Sequence, residues 1–244
     1  MDNANYVALS RQSGLMKELS NIANNIANAN TVGFKREGAV FTEFVTAAAS
    51  GNPSEPRHSL SMGRLSAHAS DFSSGGMRQT GGILDVAIDG DGFFLVDVEG
   101  EIQMTRAGHF MTDSEGRLIT TDGHSVLNDA EGEIQIPLEA NKIAIGSDGV
   151  ISADGTELGK LGVVTATAES LVRRGGNNWT STVPFEAVEF PAIAQGFLED
   201  SNVQPVNEIA RMIEVQRHYD AGQKILDMED SRIRQVITTI RQLA

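Results

Sequence analysis

The chain has 244 residues, with 19 Lys and Arg against 33 Asp and Glu for a formal charge of -14, and no cysteine. That balance argues against a nucleic-acid partner, which needs a basic footprint, and the missing thiols exclude a disulfide framework and cysteine chemistry. No stretch reaches the roughly 18 apolar residues of a membrane span; with Asp2, no early basic cluster and no apolar h-region, the start does not read as a cleaved secretory signal, so composition alone points to the cytoplasm.

The first element predicted is a helix from Asp2 to about Asn30, stopped by Gly33. Leu15, Leu19, Ile22 and Ile26 recur at steps of four and three and share one helical stripe. Asn21, Asn24, Asn25 and Asn28 repeat along a neighbouring stripe. Asparagine costs about 0.5 kcal/mol per helical position relative to alanine, so a merely solvated face would be better served by Glu, Gln or Lys. The pattern fits a helix buried on several sides, whose short amides hydrogen-bond to neighbouring chains; an ordinary core helix with a polar face is the simpler alternative.

Next, Ala39 to Ala49 mixes Phe41, Phe44 and Val45 with small residues and fits either a short helical turn or an extended arm. Gly51 to Gly82 is rich in Gly, Ser and Pro, with Leu60, Met62, Leu65 and Phe72 scattered through it, and cannot build a core alone. From Ile83 the pattern changes to short strands punctuated by acid-glycine turns. Leu84, Val86 and Ile88 alternate with Asp85, Ala87 and Asp89, and Phe93 to Val98 continues after Asp89-Gly90-Asp91-Gly92. Glu99-Gly100, Glu115-Gly116, Asp122-Gly123, Glu131-Gly132, Asp148-Gly149 and Asp154-Gly155 supply further turns. Ala166 to Asn178 reads as a longer loop, and Gly196-Phe197-Leu198 as a last strand. Ser201 or Asn202 is the expected cap of the final helix.

Val206 to Leu243 contains no proline and one glycine, Gly222. Met212, Tyr219, Leu226, Ile233 and Ile240 fall on every seventh residue; Val215, Val236 and Leu243 fill companion positions, interrupted by Gly222 and Glu229. A period of seven over about four heptads predicts a coiled-coil seam. The chain leaves along one terminal helix and returns along the other, so the predicted pairing is antiparallel. The fold class expected is α+β: long N- and C-terminal helices form an antiparallel coiled-coil bundle and enclose a central all-β domain. Its segments are helix 1–36, arm 37–82, β domain 83–199 and coiled-coil helix 200–244.

Chemistry is hard to find. Asp89-x-Asp91-Gly92 fails as an EF-hand, because Phe94 and Gly100 stand where that loop needs its glycine and its glutamate. It also lacks the third glycine of a dinucleotide fingerprint. His58, His68, His109, His124 and His218 have no metal-ligand spacing. No P-loop or G-x-S-x-G is present, and no two carboxylates are singled out as a glycosidase pair. Neither an enzyme nor a cofactor is expected.

Ala23-Asn24-Asn25-Ile26-Ala27-Asn28-Ala29-Asn30-Thr31, followed by Gly33-Phe34-Lys35, resembles the N-terminal signature of the bacterial flagellar rod and hook proteins. Ser201-Asn202-Val203 with Met212-Ile213-Glu214-Val215-Gln216-Arg217 and Tyr219 resembles the C-terminal signature. Leu84 to Val96 and Thr105-Arg106-Ala107-Gly108-His109-Phe110 match between them. The resemblance implies a structural subunit of the basal-body rod, its terminal helices bundled into the inner wall of a helical tube that transmits torque around an export channel. Partners would be other rod subunits, copies of itself and the flagellar type III export apparatus, which would pass it to the basal body without a cleaved signal. The opening Met1-Asp2-Asn3 and the modest length favour a proximal-rod subunit, with the distal rod as runner-up. His218 and Gly222 depart from the family pattern.

The assembly interface expected comprises Leu15, Leu19, Asn21, Ile22, Asn24, Asn25, Ile26, Asn28, Met212, Val215, Tyr219, Leu226, Ile233, Val236, Ile240 and Leu243. A lone chain would then be only partly folded, its helices waiting for sister copies. From a different class, the sequence also fits a secreted ligand-binding β domain whose helices serve oligomerisation.

Overall fold

The computed structural model describes residues 2–47 and 59–243, with side chains described for 8–38 and 69–241. Two compact units result: residues 1–27, 37–71 and 204–244 form a helical unit, and residues 28–36 and 72–203 a β unit.

In the helical unit, α1 spans Asp2–Ala27 and α2 spans Pro205–Leu243. Proline opens α2 where a first-turn residue has no intrahelical partner for an N–H anyway. The carbonyl of Gln204 accepts the Asn207 and Glu208 amides, at 3.0 and 3.1 Å. The cap expected at Ser201 or Asn202 is therefore displaced toward the proline. Asn202 is engaged elsewhere, accepting from the Arg36 amide at 2.7 Å.

Among the described residues, side-chain contacts at three places tie the two helices. Gln12 Nε2 donates to the Tyr219 carbonyl at 3.0 Å, Arg211 Nη2 meets Glu18 Oε1 at 2.8 Å, and Asn25 Nδ2 reaches Glu208 Oε2 at 3.2 Å. Positions rise along α1 as they fall along α2, so these bonds run antiparallel. The same unit holds β1 (Glu37–Ala47) and β2 (Ser59–Ser70), antiparallel from Glu37 opposite Ser70 to Ala47 opposite Ser59, with a register shift between Val40 and Phe41. Of the two conformations open for Ala39 onward, the chain takes the extended one as far as Ala47. Residues 48–58, and the side chains of Phe41, Phe44, Val45, Leu60, Met62, Leu65 and Leu243, lie outside the described residues.

The β unit is built from short strands, beginning with β3 (Met77–Gln79), β4 (Val86–Ile88), β5 (Phe93–Val98) and β6 (Glu101–Thr105). Its nine-stranded sheet places β5 centrally, between β6 and Ser125–Val126, with Val163–Thr165 pairing the start of β5. Alternation explains why β5 is apolar throughout its first four residues. Phe94 and Val96 face one core with Val86, Phe110 and Ile151, while Phe93 and Leu95 face a second with Met104, Val164 and Trp179. The turns fall where acid-glycine pairs predicted: Glu99 has φ 55°, Glu131 φ 61° and Asp154 φ 50°. Ala166 to Asn178, read as a loop, is instead largely a hairpin, Leu171–Gly175 against Asn178–Ser181. Arg173-Arg174-Gly175-Gly176 concealed it, because two charges mask the alternation of an edge strand.

Candidate assembly interface

Of the sixteen interface residues expected, the structure divides the set by position. Ile22 and Val215 are buried, with Leu15, Leu19, Ile26, Met212, Tyr219 and Leu226 half-buried. Ile233, Val236 and Ile240 are exposed, at 40, 54 and 62%. From Met212 to Glu229 each position of the predicted seam, Gly222 included, is at least half-covered. From Asp230 to Arg241 every residue is exposed. The α1 contacts explain the change. Gln12 meets Tyr219 and Glu18 meets Arg211, a step of six residues toward the N-terminus of α1 for eight along α2, so α1 runs out before α2 does.

The asparagine row behaves unevenly. Asn24 is exposed, Asn21 and Asn28 are half-buried, and Asn25 is fully buried. The Asn25 amide pairs with both backbone groups of Glu37: Nδ2 donates to its carbonyl at 2.8 Å, and Oδ1 accepts from its amide at 2.9 Å. Together with the Glu208 carboxylate this uses both Nδ2 donors and one acceptor site of Oδ1, and a longer side chain would not fit the same partners. The partners of Asn25 lie within its own chain, whereas neighbouring chains were expected.

Sequence reasoning missed the polar side of the helix pair. Gln12 and Glu18 are buried, and both face α2. Gly222 makes room for one of them: a Cβ there would sit 2.8 Å from Gln12 Nε2. The glycine at 222 is thus matched by a glutamine that needs the space.

The β unit gathers the remaining signature residues into one buried cluster. Lys35 Nζ meets Glu199 Oε1 at 2.7 Å with both side chains at most 3% exposed, and also donates to the Ser73 carbonyl at 2.8 Å. The same Glu199 oxygen accepts the Gly75 amide at 2.9 Å, and Arg106 Nη1 stands 3.6 Å from the other. Burial lowers the Arg106 pKa, partly offset by Glu199 and Asp91. Asn202 donates to the Ser73 carbonyl at 3.0 Å, and the Gly33 amide donates to the Glu199 carbonyl at 2.7 Å. Gly33, expected only to stop a helix, has φ 65° and packs so tightly that a Cβ would lie 2.4 Å from the Arg106 carbonyl carbon. Segments 33–36, 73–75 and 199–202 are thereby tied to one another. Burying an ion pair is costly unless its hydrogen bonds are satisfied; the Ser73 carbonyl and the Gly75 amide satisfy Lys35 and Glu199 Oε1, while Glu199 Oε2 and Arg106 Nε are buried without a hydrogen-bond partner.

Residues 6–35 match the family described as flagella basal body rod protein, 87–153 the flagellar hook protein FlgE/F/G D1 domain, and 194–239 the flagellar basal body rod FlgEFG protein C-terminal region. The flagellar basal-body rod protein FlgF of Caulobacter vibrioides is 42% identical over 232 residues, 93% of each chain. The chain belongs to the flagellar basal-body rod protein family. The rod protein FlgF of Mesorhizobium japonicum is 34% identical over 98% of each chain, and the rod protein FlgG of Bacillus subtilis is 33% identical over 97% of this chain and 98% of its own. For a rod-family chain the buried cluster has a clear meaning. Lys35 closes the N-terminal match, and Glu199 and Asn202 open the C-terminal one, so the cluster joins the two ends of the family signature. Among the described residues no group of three or more His, Cys, Asp or Glu is placed to hold a metal ion. Nor, among the described residues, is any helix long and apolar enough to cross a membrane.

Proposed function

We propose that this rod-family chain is a structural subunit of the proximal rod, that its terminal helices complete a coiled-coil wall only among sister and neighbouring rod subunits, and that it reaches the basal body through the flagellar export apparatus without a cleaved signal. The observation that carries the reading is the single heptad row of α2, covered as far as Glu229 and exposed at Ile233, Val236 and Ile240. An apolar seam does not end because its own partner helix is short; the uncovered part marks where other chains bury it. The stiffness needed for torque follows from close packing of such helices.

The assembly residues are the sixteen expected, used in two ways: Ile22, Asn25 and Val215 shape the helix pair, and Ile233 to Leu243 meet other subunits. Imaging of purified basal bodies with this chain labelled tests the reading. Density at the base of the rod supports it. Density confined to the distal rod favours the second reading, a distal subunit. Absence from the basal body rejects both.

A further inference from the structure

Within the buried cluster of the β unit, Arg106 is the member whose charge is answered least. Its Nη1 and Nη2 donate to the carbonyls of Ile88 and Gly90, while its Nε has no hydrogen-bond partner. Glu199 Oε2 stands 3.6 Å from Nη1, beyond a hydrogen bond, and the other oxygen of that carboxylate is taken by Lys35 at 2.7 Å. Two buried cations thus share Glu199, and among the described residues the guanidinium makes no hydrogen bond to a carboxylate. A buried cation in that state gains from any further anion that reaches it.

Arg106 also forms part of the wall of a cavity of about 230 Å³, to which Phe72, Phe93, Ala166 and Leu171 contribute apolar surface. The guanidinium carbon lies 5.6 Å from the centre of the Phe93 ring, so the cationic and apolar walls adjoin. That volume is below the roughly 300–1,000 Å³ of sites for drug-sized ligands, and the body it admits is correspondingly small. Asp91 lines the cavity and is exposed, and Glu169 is exposed next to Ala168, another lining residue. Both carboxylates stay hydrated and repel a bare anion, whereas an apolar body that reaches past them is held by the rings.

We propose that this cavity binds a small ligand with an apolar body and one carboxylate, the body against Phe72, Phe93 and Leu171 and the carboxylate on the Arg106 guanidinium. An arginine fork matches a planar carboxylate. Inorganic anions lack the body, and a neutral apolar molecule leaves the cation as it was. Two sources offer the required chemistry: a free aliphatic or aromatic acid, and the C-terminal residue of a polypeptide. Every wall belongs to the β unit, so the site is complete in one chain and does not depend on the rod reading.

The test uses the full chain and a reporter it already carries. Trp179 is its one tryptophan, and the indole ring meets Phe72 and Phe93 at 5.8 Å each, so the Trp179 indole N–H resonance follows what enters the cavity. Titration with phenylpropionate is expected to shift that resonance saturably. Phenylpropionamide, of the same shape without the charge, is expected to bind at least tenfold more weakly, and acetate and inorganic phosphate to leave the resonance in place. The acetylated tripeptide alanyl-alanyl-phenylalanine, as its free acid, separates the two sources: binding as tight as that of phenylpropionate assigns the site to a polypeptide C-terminus, and weaker binding assigns it to a free acid. Ala166→Phe adds bulk from the cavity wall and is expected to abolish the shift; should that variant not fold, the comparison of acid with amide decides alone. No saturable shift with either acid, an amide that binds as well as the acid, or unchanged binding by folded Ala166→Phe overturns the site. Each of these outcomes leaves the rod reading untouched, since imaging of basal bodies judges that separately.

Discussion

The β unit closes its own core, and the helical unit does not. Phe94, Val96 and Trp179 are shut off from solvent with no other chain present, and the Phe72, Phe93 and Trp179 rings meet at 5.7 to 5.8 Å in edge and tilted contacts. In α2, by contrast, Ile225, Met228, Ile237 and Ile240 are each 59% exposed or more. A monomer has no reason to carry such a helix unless other chains cover it. On the rod reading proposed above, the difference separates what one chain stabilises alone from what an assembly would complete.

Breaking the closed side has the largest effect. Trp179→Ala is expected to cost about 3–5 kcal/mol, read as a shift of the cooperative unfolding transition of the isolated chain. Ile240→Ala in that same measurement is expected to change nothing, while basal-body incorporation falls. Equal effects of the two substitutions on the monomer would erase the contrast between the units.

Glu199→Leu comes next, at about 3–5 kcal/mol, because Lys35 and Arg106 stay buried without their carboxylate. Lys35→Met/Glu199→Leu is expected to recover part of that loss, since both charges of the 2.7 Å pair are then absent. A double-mutant cycle in denaturant measures the coupling. Additive losses would mean that the pair is not the element joining segments 33–36 and 199–202.

Smaller again is Asn25→Leu, expected to cost about 1–3 kcal/mol by leaving the Glu37 amide and carbonyl without their partners. The substitution sharpens the comparison from within the helical unit, because it harms the lone chain. Hydrogen exchange at the Glu37 amide reports the loss directly.

How far these features could be read in advance depended on the range of the signal. Leu84-Val86-Ile88 and the acid-glycine turns announced strands because alternation and positive φ are local properties. The heptad from Met212 to Ile240 announced one face of α2 for the same reason. The asparagine row matched burial only at Asn25 and told nothing of partners: Asn25 pairs with Glu37 and with Glu208, 183 residues away. Gln12 and Glu18 gave no warning, because a buried polar residue is identified only by what faces it. Gly33-Phe34-Lys35 was recognised as a family signature. Its physical cause, the meeting of Lys35 with Glu199 and of Gly33 with the Arg106 backbone, is set by contacts across the fold.

The smallest effect expected lies in a turn of the β unit and concerns pH. Partial removal from water pushes the Asp113 carboxyl up, but hydrogen bonds from the Arg117 and Glu115 amides and from the Arg117 side chain outweigh it and hold the pKa below the ordinary carboxylate value. A group whose pKa is lower folded than unfolded stabilises the fold above its unfolded pKa, and that contribution fades as pH falls through the folded value. The turn is therefore expected to weaken only under acid conditions, and Asp113→Asn to remove this part of the acid dependence with little change at neutral pH. Carboxyl titration of Asp113 by NMR reads the sign: a midpoint above that of an exposed aspartate would contradict it. The Arg117 contact is local, with Nε 2.8 Å from Asp113 Oδ2, so Asp113→Asn is not expected to alter basal-body incorporation at neutral pH. That indifference, set beside the loss expected for Ile240→Ala, places the demands of assembly on the open helices and leaves the closed β unit to its own chain.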